Sequence, residues 1–148
     1  MKIITITKND RYFEEFCNLT YHWGDRFDSY PDFKKHYLET LNDELPKLRA
    51  LIINDTVIGL YEINAKDGID NEEYTPYLAN VFVREEYRHQ GFGTILIKDS
   101  IKYTKELGYE TLYLHSRHEN YYEKYGFQLI DVVKTEHGNK RIFKYEGE

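Results

Sequence analysis

A chain of 148 residues with 41% hydrophobic content has the size of one domain and can bury a core, which argues against disorder despite a mean hydropathy of −0.73. Its formal charge of −6 argues against a nucleic-acid binder, which needs a concentrated basic face, and suits a cationic substrate. One cysteine, Cys17, and no Cys/His set at zinc spacing leave no disulfide or metal framework, so no metal is expected and the cytoplasm is the expected compartment.

The start, Met1-Lys2-Ile3-Ile4-Thr5-Ile6-Thr7, is too short and polar for a signal peptide and reads as a first strand. No segment approaches the roughly 20 apolar residues that cross a bilayer, so no membrane partner is expected. Phe13, Phe16, Cys17 and Thr20 fall at helical spacing behind an Asn9 or Asp10 cap, predicting a helix over 10–21, and a second follows over 31–41. Cys17 in that pattern is a core residue rather than an acyl carrier. β-rich runs at 48–53 and 57–63 flank Asn54-Asp55, a pair suited to a two-residue hairpin turn. A polar segment at 66–73 then leads to Tyr77-Leu78-Ala79-Asn80-Val81-Phe82-Val83, apolar enough for a buried central strand.

Next comes Arg88-His89-Gln90-Gly91-Phe92-Gly93, between that strand and a long amphipathic helix ending at Gly108. Glycines there let backbone N–H groups approach a phosphate, and the helix adds its free N–H groups and positive dipole end. A P-loop would need a Gly-Lys-Ser/Thr ending, and a dinucleotide fingerprint a third glycine, so phosphate binding by backbone alone survives. A strand over 111–116 implies a right-handed crossover and a parallel pair. Residues 120–125 form a short helix stopped by Gly126, and strands over 127–134 and 141–145 flank a Gly138-Asn139 turn.

The segment Tyr121-Tyr122-Glu123-Lys124-Tyr125-Gly126-Phe127 completes a pattern. With residues 88–93 and the order of elements over nearly the whole chain, it resembles the GNAT superfamily of acetyl-CoA-dependent N-acyltransferases. The resemblance implies a single domain over 1–148 of the α/β (α+β) class. Its sheet is a mixed, mostly antiparallel seven-stranded one with a parallel, splayed central pair, flanked by about four helices. It also implies an acetyl-CoA donor whose pyrophosphate lies on Arg88, His89, Gln90, Gly91, Phe92, Gly93 and Thr94. The pantetheine arm then pairs with the strand edge at Val81, Phe82 and Val83, where a backbone N–H stabilises the oxyanion. Asn120 is placed on the cofactor, and Tyr122 takes the position that protonates the departing thiolate. A phenol of pKa about 10 donating to a thiolate of about 8.5 does so at some cost near neutrality, yet the proton comes from the group in place.

An amine acceptor is mostly protonated at neutral pH and needs a base or a water chain. The strand before the loop, with Tyr77, Ala79 and Asn80, carries no carboxylate for this. His118 is the first candidate, followed by His115 and Glu62. Trp23, Tyr37 and Glu62 are expected to contact the acceptor, a small-molecule amine, by direct attack in a ternary complex; a homodimer is compatible. The competing expectation is a non-catalytic module that binds acyl-CoA, or only a protein partner, on the same scaffold.

Overall fold

The computed structural model describes residues 1–23, 29–41, 44–136 and 138–147, with all their side chains except those of His22 and Trp23. The elements run β1 (Lys2–Ile6), α1 (Phe13–Trp23), α2 (Tyr30–Thr40), β2 (Lys47–Ile53), β3 (Thr56–Asn64), β4 (Tyr77–Val83), α3 (Phe92–Glu106), β5 (Thr111–Ser116), β6 (Gln128–Thr135) and β7 (Gly138–Glu146). They build a seven-stranded sheet in the order β1-β2-β3-β4-β5-β7-β6, parallel at β4–β5. The hairpin turn falls where expected: Asn54 at φ +50° and Asp55 at φ +58° give the doubly left-handed geometry of a two-residue turn.

Apart from α1, which begins at Phe13 rather than at residue 10, two details differ from the expectations drawn from the sequence. Among the described residues there are three α-helices rather than about four, because residues 120–125 form only a 3₁₀ turn at Glu123–Tyr125, with another at Glu85–Tyr87. The left-handed Gly126 follows too soon for an α-helical ladder to propagate. The last turn also lies earlier, since Thr135 already pairs with Gly138 and Lys134 with Asn139; strand pairing absorbs both residues assigned to the turn.

Contacts cluster in two compact units. The first holds Met1–Glu62 and Asn80–Leu96. In it α1 and α2 cover the strands through Phe13, Phe16, Cys17, Phe33 and Tyr37 packed with Leu48, Ala50 and Leu60. The aromatic members meet edge to face, Phe33 and Tyr37 at 5.1 Å between centroids. Cys17 is fully buried and burial pushes its thiol up to about 12, in keeping with a core role. Gly59 sits where a Cβ would come within 3.0 Å of Leu96 and 3.1 Å of the Phe82 carbonyl, so only glycine lets β3 lie this close.

The second unit holds Ile63–Ala79 and Ile97–Glu148. Its parallel contact registers Tyr77 against Tyr113, whose N–H donates to the Pro76 carbonyl at 2.9 Å. Strand β7 runs antiparallel to β5 on one side and to β6 on the other. Ile69, Tyr77, Tyr113 and Ile142 form a small buried cluster, with Tyr74 stacked on Tyr113 at 5.2 Å. Along α3, Ile97, Ser100 and Thr104 recur on one buried face.

Candidate functional site

In the first unit the loop before α3 takes an uncommon backbone path. His89 lies at φ +63° and Gly91 at φ +86°, with Arg88 extended between the 3₁₀ turn and this pair. Left-handed residues set among ordinary ones turn successive N–H groups toward a common concavity, the arrangement that binds anions. The ladder of α3 opens with Ile95 N donating to the Gly91 carbonyl at 3.2 Å, so the first-turn N–H groups of Phe92 and Gly93 face out of the helix start. Among the described residues other than its chain neighbours, no atom lies within 4 Å of a Cβ at Gly91, so its glycine is required by φ. His89 and Gln90 are exposed, and the Gln90 amide donates to the Glu86 carbonyl at 3.3 Å.

α1 carries Glu14 and Glu15 in its first turn. α2 has Asp32 there and a Ser29 cap. The first turn of α3 contains no acid, leaving its positive end uncompensated by its own sequence.

The end of β4 is braced by two arginines. Arg84 donates from its backbone to Ile58 at 2.8 Å, from Nε to the Val57 carbonyl at 2.6 Å and from Nη2 to Glu15 at 3.0 Å. Arg88 donates from Nε to the Val83 carbonyl at 2.9 Å and lies over the Phe82 ring at 5.6 Å. Arg88 thus ties the loop to the strand. Further back, Asn80 breaks β4 at φ +56°, and its side-chain amide donates to Glu62 Oε2 at 2.7 Å. The Tyr37 hydroxyl donates to the same oxygen at 2.8 Å. Both Tyr37 and Glu62 are 2% exposed, so these two acceptor-binding candidates form an interior polar contact. Trp23 closes α1, and its side chain lies outside the described residues.

This unit also contains a cavity of about 760 Å³ lined by Glu14, Glu15, Asn18, Leu19, Phe82 and Arg84. Its lining sets the apolar faces of Leu19 and Phe82 beside charged and polar groups, Arg11 among them. Its acids are partnered: Glu15 by Arg84, and Glu14 by Lys34 and the Tyr30 hydroxyl, which hold the Glu14 carboxyl below its ordinary range.

In the second unit Tyr122 precedes the Glu123–Tyr125 turn, half-buried against Phe127 at 6.0 Å and Phe143 at 6.1 Å. Burial first, then the neighbouring Tyr125, raise the Tyr122 phenol above its ordinary value, so its proton is retained. Gly126 fixes this turn, because at φ +99° a Cβ would lie 2.9 Å from Tyr145. Asn120, left-handed at φ +61°, donates its N–H to Glu123 Oε2 at 3.1 Å, closing the turn from its start. His118 is exposed; its N–H donates to Ser116 Oγ at 3.0 Å and its ring lies 6.3 Å from Tyr121. His115 is more enclosed, with Nε2 2.9 Å from Asp67. Among the described residues no three His, Cys, Asp or Glu groups gather as metal ligands.

The sequence model of the acetyltransferase (GNAT) family matches residues 11–127, which spans both the glycine loop and the Tyr122 turn. The chain belongs to this family. The GNAT chain is 28% identical over 119 residues to an N-alpha-acetyltransferase of Saccharolobus solfataricus, covering 72% of this chain and 70% of the relative. It is 31% identical over 71 residues to an uncharacterised N-acetyltransferase, CgeE, of Bacillus subtilis; that match covers 45% of this chain and 27% of the relative's length. The GNAT fold itself is matched by a crystal structure of a GNAT family acetyltransferase from Elizabethkingia anophelis with acetyl-CoA bound. There the TM-score is 0.70 and the identity 20%, over 99% of this chain and 97% of that one.

Within this GNAT domain, two residues of the site were not singled out by sequence pattern. The Arg84 side chain bonds to Val57 and Glu15, both distant in sequence, so nothing in its neighbourhood announced that role. Asn80 carried a legible sign: a polar residue inside an apolar strand, of a type that tolerates the left-handed region.

Proposed function

We propose that the chain is an N-acetyltransferase that moves an acetyl group from acetyl-CoA to a primary amine by direct attack in a ternary complex. The observation that carries this reading is the start of α3, where left-handed His89 and Gly91 precede a helix with no acid in its first turn. Diphosphate oxygens fit such a cradle because N–H groups and dipole both favour negative charge. Family membership and the acetyl-CoA held by the Elizabethkingia relative support the identity of the donor.

Each residue of the site has a role in this reaction. His89, Gln90, Gly91, Phe92, Gly93 and Thr94 hold the pyrophosphate through their backbone, while Arg88 acts as the brace of that loop. The edge of β4 at Val81, Phe82 and Val83 receives the pantetheine amides as an added strand would, and one of its N–H groups meets the acetyl oxygen. Acetyl-CoA supplies the activated thioester. Tyr122 delivers its retained proton to the departing sulfur. His118 or an ordered water takes the proton of the attacking amine; exposure suits His118 to pass it to solvent. Asn120 orients the donor.

A small-molecule amine is the acceptor we favour, because the cavity beside Phe82 has the volume of a small-ligand site and the chain is acidic. The match to an N-alpha-acetyltransferase favours a second reading, in which the acceptor is the α-amine of a polypeptide. CoA release measured across amines and short peptides separates the two, and binding of acetyl-CoA without release from any would replace both by a non-catalytic module. No described helix is long and apolar enough to cross a membrane, and we place the enzyme in the cytoplasm. Exposed Leu129, Ile130 and Val132 on the edge strand β6 are the surface we assign to a homodimer.

A further inference from the structure

Glu62 is an anomaly of the first unit. It is a carboxylate with 2% exposure in a strand whose neighbours Tyr61 and Leu60 are fully buried. Such a group persists inside a protein only when donors replace water, and removing a donor leaves a costly charge. One of its oxygens, Oε2, accepts from two elements besides its own: Tyr37 of α2 at 2.8 Å and Asn80 of β4 at 2.7 Å. That short bond reaches the residue where β4 leaves extended geometry, Asn80 at φ +56°.

Asn tolerates this region better than most residues, yet a left-handed residue inside a strand is sparsely populated, and contacts with its surroundings help to hold the kink. A charge-assisted hydrogen bond from the kinked side chain to a carboxylate fixed on β3 supplies such a hold. The kink also sets the direction of the rest of the strand. One left-handed residue interrupts the alternation of a strand, and the parallel contact of β4 with β5 is registered at Tyr77, ahead of the kink.

We propose that Glu62 is a positioning residue: through Asn80 it holds the kink in β4 that aims one N–H of the Val81–Val83 edge at the acetyl carbonyl. The proposal rests on the acetyl-CoA reading above. Glu62 makes no contact with donor or acceptor, and its carboxylate takes no proton from the amine. Tyr37 is the second anchor, tying α2 to the same oxygen so that the carboxylate cannot rotate away from Asn80.

The test compares wild type with Glu62→Gln, Glu62→Ala and Asn80→Ala. Gln keeps an oxygen that accepts both bonds but has no basicity, whereas either Ala variant releases the kink. Each is titrated with [1-¹³C]acetyl-CoA, the carbonyl stretch of the bound thioester is read by difference infrared spectroscopy, and CoA release is measured with the best amine of the panel. Wild type and Glu62→Gln should show the band displaced to lower frequency and turnover within about threefold of each other. Glu62→Ala and Asn80→Ala should bind acetyl-CoA but return the band to its free position and lose about tenfold or more in turnover, toward the ~10²-fold cost of a lost oxyanion donor.

A displaced band with full turnover in Glu62→Ala or Asn80→Ala overturns the proposal, as does a Glu62→Gln enzyme that keeps the displaced band yet is as slow as Glu62→Ala, which makes Glu62 a base. If Glu62→Ala does not fold, as melting would reveal, the half-buried Asn80→Ala decides by the same two readouts. A wild type that binds no acetyl-CoA overturns the donor reading and the proposal together; a wild type that binds it with no band displacement overturns the proposal alone.

Discussion

α2 and α3 begin under the same physics and resolve it in opposite ways. Each start has free N–H groups and the positive end of a helix dipole. α2 closes its own: Ser29 accepts from Asp32 N at 3.3 Å, Pro31 occupies an early position where no N–H is needed, and Asp32 supplies the negative charge. α3 has no first-turn acid and comes directly after left-handed Gly91. The difference is the ground on which we propose the α3 start, rather than that of α2, as the diphosphate site.

Several changes break or sharpen that contrast. Tyr122→Phe should leave the start of α3 untouched, keeping acetyl-CoA affinity while lowering kcat by about 100-fold, the usual scale of a general acid. Because burial raises the Tyr122 phenol, the wild-type rate should not lose this acid until the pH climbs above about 10. A pH-rate profile for both enzymes checks this, with unchanged kcat removing Tyr122 from the chemistry. Gly93→Glu makes α3 resemble α2, and should raise the acetyl-CoA Kd about 30-fold, worth about 2 kcal/mol. The same change should increase the stability of the free protein by about 1 kcal/mol, since an acid and a better helix former enter the first turn.

Ser29→Ala is the reciprocal experiment. It should cost about 1 kcal/mol, lowering Tm by about 2–4 °C, without altering cofactor affinity. Smaller still is Tyr77→Phe. Among the described residues the buried Tyr77 hydroxyl has no hydrogen-bond partner, so its loss should be neutral or stabilising by up to about 1 kcal/mol at neutral pH. Burial also pushes the Tyr77 phenol up to about 12, above its unfolded value near 10. Its contribution is therefore present below pH 10 and lost as the pH rises toward 12, so Tyr77→Phe should blunt alkaline unfolding in that window.

What the sequence made legible was local. Helical spacing in Phe13, Phe16 and Cys17, the Asn54-Asp55 turn and the glycines around the α3 start each declare themselves within a few residues, and each is where it was expected. The short helix expected over 120–125 is present only as a 3₁₀ turn over Glu123–Tyr125, stopped by Gly126 as expected, and what requires glycine there is Tyr145, 19 positions on, 2.9 Å from where a Cβ would lie. The sequence names Glu62 as a later candidate for the base and as an acceptor contact. Its partners come from Tyr37 and Asn80, at sequence separations of 25 and 18, so no local pattern names them. The pairing of β5 with β7 is likewise long-range, joining residues 111–116 to 141–146.

The contrast between the two helix starts can be tested with two ligands that share the reactive end. Isothermal titration of the wild type and of Gly93→Glu with acetyl-CoA and with S-acetylpantetheine, which has the thioester but neither phosphate nor adenosine, assigns to the α3 start the part of the difference that Gly93→Glu removes. The account predicts that acetyl-CoA binds about 30-fold or more tightly than S-acetylpantetheine, and that Gly93→Glu brings the two affinities together. Equal affinities in the wild type, or no binding of acetyl-CoA, would contradict it.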